Sequence, residues 1–382
     1  MDFEPTEEHK MIRRMVRDFA ENEIAPRAEE MDATDEFPDD LFRRMGELGI
    51  IGLPFPEEYG GSGLGYTSLV IALEEIARVS GSMAITLDAQ TSLFCEPVYL
   101  FGSDEQKRKY LAPAARGAKI GAFGLTEPQA GSDAGATRTR AVRDEETGEW
   151  VITGQKIFIT NGSIADFVIV TAKTDLEAGT RGISAFIVER GTPGFEAGRD
   201  EKKMGLKGSV TSELFFENCR VPAENLVGRE NEGFKQFLTT LDAGRVAIAA
   251  MAVGLAQGAF ERAVAYARER EQFGQPIAKF QAIQWMIADM ATEIEAARLL
   301  VNRAAWLRER GERFTQEAAM AKLFATEMAE RVCHQAIQIH GGYGYVREYE
   351  VERMYRDQRL CQIGEGTNQI QRLVIARRVL GR

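Results

Sequence analysis

The feature that most constrains this chain is a run without proline over residues 234–270. At the α-helical rise such a run is roughly 55 Å long, so the other elements must pack along it. Two further long runs follow, residues 277–310 and 315–339, broken at Gly274-Gln275-Pro276 and at Gly311. All three are amphipathic and rich in alanine, and short turns should fold them into an antiparallel four-helix bundle over residues 233–382. Their remaining apolar faces predict self-association.

The first 120 residues also read as helical. Thr6 precedes an apolar face of Met11, Ile12, Met15, Val16 and Phe19, which predicts a capped helix ending near Pro26. A shorter helix is expected over residues 41–48, another from Thr67, and a strongly apolar one over residues 82–100. Ser103-Asp104-Glu105-Gln106 has the form of a capping box. From Gly121 the pattern changes to short runs rich in β-branched and aromatic residues: 150–153, 157–160, 167–171, 183–188 and 213–216. Turns fall at Glu146-Thr147-Gly148, Asn161-Gly162 and Thr192-Pro193-Gly194. With no helix between them, these strands predict an antiparallel β-domain at 121–232. The fold class is therefore α+β and multi-domain: a helical domain (1–120), a β-domain (121–232) and a helical bundle (233–382).

A length of 382 residues suits two or three domains, and a net charge of −11 argues against a nucleic-acid partner. Cys95, Cys219, Cys333 and Cys361 are far apart, and the three histidines are badly spaced for a metal site, so no metal is expected. No run of about 18 apolar residues is evident, so no membrane span is expected. The N-terminal Met1-Asp2-Phe3-Glu4-Pro5 is acidic and lacks an export signal. A cytoplasmic protein is expected, or a mitochondrial matrix one if a presequence has been removed. No Gly-x-Gly-x-x-Gly stands on a strand-to-helix turn, and there is no P-loop.

Five stretches carry candidate chemistry. In Ile363-Gly364-Glu365-Gly366-Thr367-Asn368-Gln369 a carboxylate stands between two glycines, just before a helix that Thr367 should cap. Glu365 either complements the helix N-terminus or serves as a base reaching a bound substrate. Phe123-Gly124-Leu125-Thr126-Glu127-Pro128-Gln129-Ala130-Gly131-Ser132 offers hydroxyls and backbone N–H groups on a glycine-containing loop. In Lys156-Ile157-Phe158-Ile159-Thr160, strand alternation would put Phe158 and Thr160 on one face. Arg268-Glu269-Arg270-Glu271-Gln272-Phe273-Gly274 ends the long helix, with Gly274 as its expected cap. Gln338-Ile339-His340-Gly341-Gly342-Tyr343-Gly344 places three glycines between two helices, which implies close backbone approach.

Taken together and in this order, these stretches resemble the acyl-CoA dehydrogenase family over essentially the whole chain. The resemblance implies FAD held non-covalently, lined by Phe123, Leu125, Thr126 and Ser132 and flanked by Phe158 and Thr160. It also implies that Arg270, Gln272, Phe273, Gln281, Gln338 and Gly342 hold the FAD of a neighbouring subunit. Thr367 and Gln369 would touch FAD beside the base. Asp242 and Arg245 match positions that contact the CoA portion, with Ser132 and Gly366 also at the substrate. The expected assembly is a homotetramer, a dimer of dimers, and the expected electron acceptor is electron-transfer flavoprotein.

The implied reaction is α,β-dehydrogenation of an acyl-CoA to a trans-2-enoyl-CoA. Glu365 takes the α-proton and flavin N5 the β-hydride. The backbone N–H of this glutamate and a ribityl hydroxyl would steady the thioester oxygen. Some members place the base on the long helix, at the position that is Gly244 here, which leaves Glu365 as the candidate. Gly364 replaces a Tyr carried by many straight-chain members, and this hints at tolerance for a branched acyl group. Residues 82–100 contain no arginine, which disfavours a glutaryl-type substrate. The alternatives are an acyl-CoA oxidase using oxygen, and a non-catalytic flavoprotein scaffold.

Overall fold

Thr6 opens the first helix as expected, its hydroxyl accepting a hydrogen bond from the His9 backbone N–H at 3.2 Å. The computed structural model describes residues 5–381, so residues 1–4, on which the reading of the N-terminus drew, lie outside the described residues. The N-terminal layer comprises α1 (Glu7–Phe19), α2 (Ala28–Thr34), α3 (Asp39–Glu47), α4 (Gly65–Ala77), α5 (Gly81–Asp88) and α6 (Glu96–Phe101). Two short helices complete it, α7 (Asp104–Gln106) and α8 (Ala112–Ala115). Ser103 and Gln106 form the expected capping box in both directions. The helix expected over 82–100 is not uniform: between α5 and α6 it widens into π-helical turns over Ala89–Cys95. Such turns are rare and concentrate at functional sites.

The middle layer is one seven-stranded sheet: β1 (Gly121–Gly124), β2 (Arg140–Arg143), β3 (Trp150–Thr160), β4 (Phe167–Lys173), β5 (Ile183–Glu189), β6 (Phe195–Asp200) and β7 (Thr211–Val221). The order is β1-β4-β2-β3-β7-β6, with β5 also on β4. Most pairs are antiparallel, but β1 runs parallel to β4, Gly121 opposite Phe167, because β2 and β3 intervene in the chain between them. A single parallel bridge, Arg140 to Lys173, joins β2 to β4. The runs 150–153 and 157–160 are one strand, irregular after Ile152 and again between Lys156 and Ile159.

The C-terminal layer begins with α9 (Gly233–Glu269), 37 residues long. A tight hairpin follows, β8 (Glu271–Gln272) with β9 (Gln275–Pro276). Its two turn residues, Phe273 and Gly274, both have positive φ, 52° and 78°, as a two-residue primed turn requires. Gly274 therefore makes a hairpin turn and is not the helix cap expected of it; α9 ends at Arg270, where the backbone becomes extended. Then come α10 (Gln281–Glu309), α11 (Thr315–His340), α12 (Val351–Gln358) and α13 (Asn368–Val379).

By length and composition α9 could cross a membrane, yet 83% of its most apolar window is buried inside the protein. It is the central core helix, and glycines let it lie close to its neighbours. A Cβ on Gly254 would stand 2.3 Å from the Glu74 carbonyl oxygen, and one on Gly258 2.1 Å from that of Arg78. Polar ties join the same layers: Arg298 pairs with Glu74 at 2.9 Å, and the Arg308 guanidinium lies 3.6 Å from the Tyr66 ring centroid while pairing with Glu96. Gly258→Val is expected to cost about 1–3 kcal/mol or more, because α4 cannot yield that much space. Urea unfolding checks this, and an unchanged midpoint would contradict the packing.

Candidate functional site

Glu365 stands on the turn before α13 with φ of +54°, a left-handed conformation uncommon outside glycine. Its neighbours hold that turn in place. Lys322 Nζ, from α11, donates to the Gly366 carbonyl at 2.9 Å and to Asn368 Oδ1 at 3.0 Å. Gln371 Nε2 donates to the Gly366 and Glu365 carbonyls at 2.8 and 3.3 Å. Thr367 caps α13 as expected, accepting from the Ile370 N–H at 3.4 Å. The backbone N–H of Glu365 itself makes no backbone hydrogen bond among the described residues.

The Glu365 residue is half-buried, but both carboxylate oxygens are closed off and have no hydrogen-bond partner. They pack against α9 at Gly244, where a Cβ would lie 2.0 Å from Oε2. Burial first, and then the charge of Asp88 at the end of α5, push this carboxyl well above its ordinary range, while Lys322 and Arg245 oppose the shift. Burial likewise raises Asp88 to about 6 and lowers Lys322 to about 8. Arg245 is almost fully buried and pairs with Asp242 at 2.6 Å, and Asp242 also accepts from Thr315 Oγ1 at 2.5 Å. A Cβ on Gly364 would touch only Leu360, at 3.7 Å, so this glycine leaves open space beside the carboxylate.

A second cluster shapes the loop after β1. Lys156 and Glu127 form a buried ion pair at 2.7 Å. Glu127 also accepts from Thr137 Oγ1, from Gln129 Nε2 at 2.6 Å, and from the backbone N–H groups of Arg138 and Thr139 at 2.6 and 3.1 Å. Burial alone would favour the neutral forms, and it lowers Lys156 to about 8. With five donors around it, the carboxylate stays ionised, held down to about 2 against its own burial by Lys156 and the other donors. Lys156 Nζ also reaches the Leu125 carbonyl at 3.1 Å, and the Ile157 N–H donates to the Thr126 carbonyl at 2.8 Å. The loop is thereby pinned to β3. The hydroxyls of Thr126, Ser132 and Thr160 make no side-chain hydrogen bond among the described residues.

Phe123 stacks on Phe237 of α9, ring centroids 6.3 Å apart. Phe158 is 62% exposed and occupies a bulge with φ of +56°. The bulge, and not the simple alternation expected, sets its relation to Thr160. The remaining sequence candidates lie elsewhere. Arg270, 25 residues beyond Arg245 on α9, is roughly 37 Å along the helix axis from it. Its guanidinium lies 5.4 Å from the Tyr343 ring centroid. Gln272, Phe273 (94% exposed), Gln281, Gln338 and Gly342 are also on the surface, as is Gln369 at the start of α13. Within one chain, then, the structure joins Glu365, Gly366, Asp242 and Arg245 but not the Arg270 set.

Asp88, Lys322, Asn368, Gln371 and Lys156 were not singled out as site residues from sequence. Asp88 carried a signal, as one of two carboxylates in the strongly apolar stretch 82–100, and so did Lys322 among alanines. Among the described residues no group of three or more His, Cys, Asp or Glu side chains could hold a metal ion. Lys156→Met would strand the Glu127 charge in the interior and is expected to cost about 3–5 kcal/mol in chemical denaturation. The stability supplied by Glu127 should be present above the ordinary glutamate range and be lost as pH falls toward about 2.

Three family models match the chain: acyl-CoA dehydrogenase N-terminal domain at residues 6–118, middle domain at 122–219 and C-terminal domain at 231–380. The chain is 56% identical to a probable acyl-CoA dehydrogenase (YngJ) of Bacillus subtilis, over 100% of both chains. It is 48% identical to the caffeyl-CoA reductase-Etf complex subunit CarC of Acetobacterium woodii, over 97% of this chain and 98% of that one. Among solved structures, butyryl-CoA dehydrogenase from Megasphaera elsdenii superposes with a TM-score of 0.98 at 46% identity, covering 100% of both chains. The chain belongs to the acyl-CoA dehydrogenase family and is an enzyme of that kind.

Proposed function

We propose that this enzyme removes hydrogen from the α and β carbons of a short-chain acyl-CoA, with Glu365 as the base that takes the α-proton. The observation that carries this reading is the Glu365 carboxylate, whose oxygens are closed off and accept no hydrogen bond from an N–H or hydroxyl group among the described residues. A carboxylate in such a place binds a proton more tightly than one in water, which a weakly acidic thioester α-C–H demands. The free backbone N–H of Glu365 suits the thioester oxygen as it gains charge. Lys322 and Gln371 hold both groups in register by fixing the carbonyls of the same turn.

The residues present fit FAD. An exposed Phe158 on a bulge, the unpaired hydroxyls of Thr126, Ser132 and Thr160, and the pinned Leu125–Thr126 backbone would hold the flavin beside β3, with Phe123 behind them and Thr367 and Gln369 near the base. FAD, when bound, supplies the two-electron acceptor for the β-hydrogen. Arg270, Gln272, Phe273, Gln281, Gln338 and Gly342, too distant to serve that flavin, suit the cofactor of a second copy. Exposed Trp285, Leu299 and Trp306 on α10 favour the same assembly, a homotetramer. Asp242 and Arg245 are placed beside the base, where they would meet the CoA portion.

Electron-transfer flavoprotein is the proposed redox partner, supported by the Etf complex in the name of the Acetobacterium relative. That relative is a reductase, so a second reading runs the reaction backwards, with the protonated Glu365 returning its proton to the α carbon. Anaerobic mixing with butyryl-CoA and with crotonyl-CoA, with the flavin oxidised or reduced beforehand, separates the two directions.

Glu365→Gln is expected to retain FAD and bind acyl-CoA while flavin bleaching slows by roughly 100- to 10,000-fold. Bleaching at the wild-type rate would refute the base. Gly364→Tyr fills the open space next to the base, so kcat/KM for 2-methylbutyryl-CoA should fall about tenfold or more relative to butyryl-CoA. Equal losses on both substrates would remove Gly364 from the specificity.

A further inference from the structure

Asp88 is a buried carboxylate to which the reaction above gives no part. It closes α5, where the helix widens into its π turns; none of its surface is exposed, and neither oxygen has a hydrogen-bond partner among the described residues. Its carboxyl is within hydrogen-bonding reach of the Glu365 carboxyl, which also lacks a donor. Ionised carboxylates only accept, so two of them here would present four acceptor oxygens with nothing between them. Two unpaired like charges in an interior are costly, and one shared proton turns a repulsion into a hydrogen bond.

The surrounding groups leave this need unmet. Lys322 uses two of its donors on the Gly366 carbonyl and Asn368, and Arg245 pairs with Asp242 through Nη1 while its buried Nε has no partner; neither cation donates a hydrogen bond to Asp88 or Glu365. Tyr66, on α4, donates its hydroxyl to the Ala243 carbonyl at 2.6 Å. Cys361 is a neutral thiol, its proton held by burial up to about 12. The Ser92 hydroxyl, on the π-helical turns, lies near Asp88 but, like both carboxylates, makes no hydrogen bond among the described residues. A single hydroxyl cannot satisfy two carboxylates.

We propose that Asp88 and Glu365 share one proton at neutral pH, and that Asp88 is a positioning residue which takes this proton from Glu365 when substrate binds. In the first step the O–H bond on Glu365 breaks and one forms on Asp88. In the second the α-C–H bond breaks, its proton goes to Glu365 and its electron pair stays with the thioester. The pocket thus keeps a single negative charge beside the base instead of two. This role for Asp88 rests on Glu365 being the base; the sharing of the proton does not.

The test uses FAD-loaded wild type, Asp88→Asn and Glu365→Gln at pH 7, with infrared spectra in the region of the protonated carboxyl C=O stretch. One band should be missing from both variants relative to wild type, and it should be the same band. Asp88→Asn keeps the shape while removing the charge and the proton acceptor, both of which raise the affinity of Glu365 for its proton. In wild type, however, the singly protonated pair is already competent and its acid limb reports uptake of a second proton; with no Asp88 to receive the shared one, Glu365 must be ionised beforehand, so the acid limb of kcat/KM should move to higher pH by about one unit or more. Asp88→Ser, a shorter side chain, should reproduce both results and guards against an effect peculiar to asparagine. A band that survives in Asp88→Asn overturns the shared proton. A band that disappears while the acid limb stays fixed overturns the part given to Asp88 in the reaction. Full activity in Glu365→Gln would instead sink the assignment of the base and leave the infrared result standing.

Discussion

Close approach along one helix is the constraint on which the rest of the structure depends. Glycines on α9 let a different element touch its backbone at each stage: β5 at Gly233, the Glu365 turn at Gly244, and α4 at Gly254 and Gly258. All three layers are thus fitted to a single rod. Apolar burial supplies the drive, and the small residues determine how near each layer comes. Charged contacts such as Arg298–Glu74 and Arg308–Glu96 then fix orientation, since their ends are only partly exposed to screening water.

Electrostatics at the centre follows from that packing. The carboxylates of Asp88 and Glu365 are far apart in the sequence, and the oxygens of both are closed off from solvent. Burial raises the proton affinity of both, and the cations nearby are already engaged with backbone carbonyls or with Asp242. The left-handed backbone at Glu365 is a local cost, offset by the bonds that Lys322 and Gln371 make to the adjoining carbonyls. The β-domain uses a similar device in reverse: Glu127 is surrounded by donors and held ionised, so its role is to fix a loop and not to move a proton.

Much of this was legible in the chain because it is local. The caps at Thr6, Ser103 and Thr367 depend on a few adjacent residues, and the long helices on a simple period. The carboxylate between two glycines is likewise a local signal, and it falls on the left-handed turn before α13. What escaped depends on distant partners or weak signals. β2 and β6 are short and carry charged residues, Arg140, Arg143, Glu196 and Asp200, so neither reads as a strand. Pairing of β1 with β4 is set across two intervening strands. Gly274 looked like a helix cap because the hairpin that uses it is only two residues wide on each side. Lys322 reads as an ordinary helical lysine until the turn it holds is in place. Asp88 stood out in an apolar run, yet its meaning needs Glu365 beside it.

The contact between Gly244 and Glu365 has a historical side. The family contains enzymes whose base is carried on the long helix at the place of Gly244, and here the carboxylate from the C-terminal turn fills that same volume. A side chain at position 244 would meet only the tip of Glu365, which can swing aside, so an acid on the helix and one on the turn would compete for a single seat.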